Sequence, residues 1–89
     1  MTDSEKAAKV IEALKAAERE PAQMALPILN GLVALVQGDG EQPLEVEEAR
    51  SRAFVAICEI GKALHRGQAA DRLWAPAIDA TERWMALAR

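Results

Sequence analysis

Residues 24–37 read MALPILNGLVALVQ, and none of these side chains carries a charge. Wound into a helix, Met24, Ala25, Leu26, Ile28, Leu29, Leu32, Val33, Leu35 and Val36 cover most of the circumference. Gln23, Asn30 and Gln37 leave only a thin polar line. A helix that is apolar on nearly every side has to be covered on nearly every side. Pro27 falls inside this run and either kinks the helix or marks a later start near Ala25. Gly38-Asp39-Gly40 stops it, and Glu41-Gln42-Pro43 completes the connection to the next element.

The flanking segments are ordinary amphipathic helices. Before the greasy stretch, Thr2-x-x-Glu5 has capping-box spacing and opens helix 1, whose apolar stripe is Ala7, Val10, Ile11, Leu14 and Ala17. Pro21 ends that helix and suits the first turn of helix 2, expected from about Pro21 to Gln37. Helix 3 is expected from Pro43 or Leu44 to Arg66, with one stripe of Val46, Ala49, Ala53, Ile57, Ile60 and Leu64 and a second of Phe54, Cys58, Gly61 and His65. Two stripes suit two neighbours, which makes helix 3 the expected hub. Glu48 and Arg52 on its polar face have the favourable i,i+4 orientation, and Gly67 is the expected residue just past its end. Helix 4 is expected from Gln68 or Ala69 to Ala88, and Pro76 predicts a kink or a split at Trp74-Ala75.

The whole chain supports this reading. Eighty-nine residues make a single domain, expected to span 1–89. Half the residues are apolar (51%), and 19 alanines stand against one Phe, two Trp and no Tyr, which favours helix over sheet. The expected architecture is all-α: a four-helix bundle built from two αα-hairpins, with helices 2 and 4 bent or split at Pro27 and Pro76. A shift of 47 residues places Glu12 on Glu59, Lys15 on Lys62, Ala16 on Ala63, Arg19 on Arg66, Ala22 on Ala69 and Leu26 on Leu73. Two hairpins repeated at that period would also suit an open, solenoid-like layer.

Charge and chemistry narrow the function. A net charge of -3 argues against a generic nucleic-acid or anionic-membrane binder, since both need a cationic field. No run approaches the length of a membrane span, the start of the chain is polar and acidic, and a lone cysteine suits a reducing compartment; cytoplasmic localisation is expected, and the alanine and arginine content is of a kind common in bacterial chains. Cys58 and His65 are two turns apart, about 10 Å along one helix, so they share neither a metal ion nor a nucleophile–base contact. No glycine-rich loop leads into a helix as a phosphate cradle would. No enzyme, metal or cofactor is expected.

What remains is the surface of helix 2. The function it predicts is a non-enzymatic helical module for protein interaction or oligomerisation, an isologous homodimer or an adaptor, using Met24, Ile28, Leu32, Leu35, Trp74 and Trp84 as apolar anchors. At least one tryptophan is expected in the core. The acids of residues 39–48, Asp39, Glu41, Glu45, Glu47 and Glu48, would dock on a basic partner, whereas residues 50–89 hold seven bases against four acids. The competing expectation is a small apolar ligand held between bent helices by Met24, Ile28, Leu32 and Trp74.

Overall fold

A computed structural model describes every residue except Asp39. The described residues contain four α-helices and no strand: α1 (Asp3–Glu18), α2 (Ala22–Val36), α3 (Leu44–His65) and α4 (Trp74–Leu87). Each helix packs on two others. α1 lies against α2 and α4, and α3 lies against α2 and α4, while the diagonal pairs do not meet. The expected hub is therefore absent, and α3 has no more neighbours than any other helix. With extents of 37 × 19 × 19 Å, the long axis is close to the length of α3 itself, about 33 Å at 1.5 Å per residue.

Local sequence explains the helix ends. Thr2 caps α1: its Oγ1 accepts from the Glu5 backbone N–H at 3.2 Å, and Glu5 Oε1 accepts from the Thr2 N–H at 3.1 Å, so the capping box is closed both ways. At the far end of α3, Gly67 adopts φ +71°, a left-handed conformation that costs a glycine nothing. Its N–H donates to Leu64 O and that of Gln68 to Ala63 O, the paired bonds of a Schellman turn.

Neither proline splits a helix. α2 runs unbroken from Ala22 through Pro27 to Val36, so Pro27 does not split it. Pro76 does not interrupt a long fourth helix either, because that helix starts only at Trp74 and residues 68–73 form the connection. Placed third in the helix, Pro76 lacks an N–H that would have had no intrahelical partner, and its ring has no helical carbonyl behind it to displace. Ala69 and Leu73, which the 47-residue shift placed on the helical Ala22 and Leu26, consequently lie outside any helix.

The core is built mainly from small residues. Ala7, Val10, Leu14 and Ala17 of α1, Ala25, Leu29, Leu32 and Val36 of α2, Ala49, Ala53, Ile57 and Ile60 of α3, and Ala77 and the two tryptophans of α4 form one buried cluster. Alanine lets helix axes approach, and the indoles fill what alanine leaves. Trp84 is completely buried, and its Nε1 donates to Asp3 Oδ2 at 3.1 Å, joining the start of α1 to the end of α4. Thr81, also buried, donates its hydroxyl to Ala77 O at 2.8 Å, which satisfies it within its own helix.

Candidate interaction surfaces on α2 and α3

α2 has no charged residue, no side-chain cap at its start and no base in its last turn. Its end is completed from α3. Arg50 Nη1 donates to Val36 O at 2.6 Å, while Nε and Nη2 fork onto Glu47 Oε2 at 3.2 and 2.9 Å. A cation at a helix C-terminus opposes the partial negative charge of the free carbonyls there. The same pair lies over Gly38, where a Cβ would come within 2.5 Å of Arg50 Nε and 2.6 Å of Glu47 Oε2. A side chain at that position would have to push the Arg50–Glu47 pair aside. Glu47 Oε1 is buried and has no hydrogen-bond partner among the described residues.

The side of α2 turned away from the core is less greasy than the composition implies. Ala25, Leu29, Leu32 and Val36 face inward, while Leu26, Ile28, Val33 and Leu35 are half-buried along the two flanks. Met24 is the large apolar side chain left open, 56% exposed, and around it the surface is Gln23, Pro27, Asn30, Gly31 and Ala34. Met24, Ile28, Gly31 and Leu35 follow one another at four-, three- and four-residue steps, which is one stripe along the helix.

The anticipated anchors thus divide. Met24, Ile28 and Leu35 share a partly open stripe, whereas Leu32, Trp74 and Trp84 are core residues and offer no surface. The acids divide too. Glu41, Glu45 and Glu48 are exposed, Asp39 lies outside the described residues, and Glu47 is a half-buried ligand of Arg50 rather than a docking carboxylate. The expected Glu48–Arg52 ion pair is not formed; Glu47–Arg50 is the ion pair found among the described residues.

Between α2 and α3 runs a shallow groove that the sequence did not single out. One part, about 230 Å³, is lined by Leu29, Val33, Ile57, Cys58 and Gly61, and an adjoining part of about 360 Å³ reaches Leu26, His65 and Arg66. Lys62 borders both. Gly61 lines both parts, and nothing lies within 4 Å of where its Cβ would stand. A pocket bounded by Met24, Ile28, Leu32 and Trp74 is not among these, since Leu32 and Trp74 point into the core. The signal available in the sequence was Gly61 within an otherwise well-formed helix, a residue that costs helix stability unless space is wanted.

Cys58 is half-buried and His65 exposed, and among the described residues no three His, Cys, Asp or Glu side chains gather to hold a metal ion. No helix of the described residues is long and apolar enough to cross a membrane. No family model matches the chain, and neither a curated protein nor a solved structure matches it.

Proposed function

We propose that this protein is a non-enzymatic interaction module, a closed four-helix bundle of two hairpins that docks another protein chain on the outer side of α2. The observation that supports the reading is the charge-free length of α2 together with open Met24 and the half-covered Ile28 and Leu35 beside it. An apolar partner helix would complete the burial of that stripe, and the small residues Gly31 and Ala34 let its backbone come close. Charged groups of the neighbouring helices form the rim, which suits a non-obligate contact.

A photo-crosslinking residue at Ala34, exposed on this side, tests the reading in the native host. The expected result is a discrete adduct with another polypeptide that disappears when Met24→Glu places a charge on the stripe. Absence of any adduct from Ala34 in well-expressed, folded protein refutes it.

The α2–α3 groove favours a second reading, an apolar ligand seated over Leu29, Val33 and Ile57. An environment-sensitive apolar dye separates the two readings: binding that Gly61→Leu abolishes, with no adduct from Ala34, supports the ligand.

A further inference from the structure

Two large apolar side chains remain open on α3, Leu44 at 74% and Val55 at 55% exposure. They are eleven residues apart, three turns, so they stand on one side of the helix within about 20°. Arg66 follows at a further eleven residues on the same side, and Glu48 and Lys62 lie seven residues before and after Val55, again close to that line. All five are exposed, and none of the charged ones forms an ion pair among the described residues.

We propose that two copies of this chain pair through these faces, α3 antiparallel to α3, with a two-fold axis at Val55. Such an axis sets each residue opposite the one equally far from Val55 on the other side. Val55 meets Val55 of the second copy. Glu48 meets Lys62, and Leu44 lies along the aliphatic stem of Arg66, whose guanidinium reaches Glu45. Off the centre line the same-flank residues lie one position out of that rule: Arg52, three before Val55, comes nearest Glu59, four after it, and on the other flank the neutral Ser51 comes nearest the half-buried Cys58. The juxtaposed charges in these pairs are of opposite sign. A parallel arrangement would place Glu48 on Glu48 and Lys62 on Lys62, so the charge pattern selects the antiparallel one.

The helix macrodipole accounts for acids at the start of α3 and bases at its end. It does not account for an open valine midway between them and an open leucine in register with it. A single helix-on-helix seam of this length belongs to the small specific interfaces, below about 1,200 Å² in total, and the resulting dimer is weak and weakened further by salt. This pairing does not rest on the α2 reading and leaves α2 uncovered for a different chain.

Sedimentation velocity of the full chain at low ionic strength, from low to high micromolar concentration, tests it. Glu48→Lys and Lys62→Glu, both at exposed positions, are each expected to weaken the dimer by about tenfold or more, about 1.4 kcal/mol. Combined, they restore it, because each new lysine meets a new glutamate. Circular dichroism confirms that the variants stay folded. A wild-type chain that remains monomeric throughout, or a dimer that is indifferent to Glu48→Lys, overturns the proposal. A dimer lost on Met24→Glu but kept in Glu48→Lys also overturns it and transfers the self-contact to α2.

Discussion

The indole N–H of Trp84 donates to Asp3 Oδ2 at 3.1 Å across 81 residues of sequence, in a setting where Trp84 is wholly buried and Asp3 nearly so. A bond to a carboxylate is stronger than one between neutral groups, and removing one partner leaves the other buried and unsatisfied. Trp84→Phe is therefore expected to lower stability by about 2 kcal/mol, from the lost bond and the smaller ring together. In a double-mutant cycle with Asp3→Ala the two substitutions should couple by about 1 kcal/mol in chemical denaturation. Strict additivity would mean that the bond contributes nothing.

The guanidinium of Arg50 serves α2 from another helix, and both its charge and its fork are used. Arg50→Lys keeps the charge at the end of α2 but cannot hold Val36 O and Glu47 in the same plane. It is expected to cost less than Arg50→Ala, which should lose about 1–3 kcal/mol because Val36 O and Glu47 lose their donor together. Gly38→Ala should be destabilising as well, since its methyl would displace the Arg50–Glu47 pair. Thermal unfolding of the three variants checks the order.

Gly31 and Gly61 sit in α2 and α3 with open space where a Cβ would go. Replacing either by alanine restricts the unfolded chain and removes a helix penalty, so each variant should be more stable by about 0.5–1 kcal/mol. The two differ in what they fill, since Gly61→Ala alone narrows the α2–α3 groove. Urea midpoints give the stability, and a fall at either site would show that the space is occupied in solution.

Glu5 has its carboxyl held below the ordinary glutamate value, first by the Thr2 backbone N–H, then by the Thr2 hydroxyl. A carboxylate favoured in the folded state adds stability above its unfolded pKa, and that contribution is lost as pH falls through the lowered folded value. Carboxyl-carbon NMR should give Glu5 a midpoint below that of an unpartnered glutamate, and Thr2→Ala should raise it. Thr2→Ala keeps the backbone donor and removes only the hydroxyl, so that rise should be partial, and a wild-type midpoint at the ordinary glutamate value would mean that the capping box is open in solution.

A feature of this fold is legible in the sequence where its cause is local. Thr2 and Glu5, Pro21 and Gly67 act on neighbours three or four residues away, and each marks the helix end its chemistry implies. Pro76 misleads because its cost depends on whether an α-helix already precedes it, and residues 68–73 supply only a single turn closed by the Leu73 N–H on Ala70 O. The greasiness of α2 misleads for a different reason. Counting the large apolar positions passes over Pro27, Gly31 and Ala34, which expose little hydrocarbon and fall together on the outer side. Neither Trp84–Asp3 nor Arg50–Val36 has a sequence signature, because each joins residues that only the packing brings together. Val55 does leave a trace, as an aliphatic residue on the polar side of α3 that belongs to neither apolar stripe.

Because α2 lacks any charge of its own and relies on Arg50 to finish its last turn, its integrity is tied to the placement of α3. Whatever pulls α3 by a fraction of a turn loosens the latch on Val36, and the surface offered by α2 frays from that end.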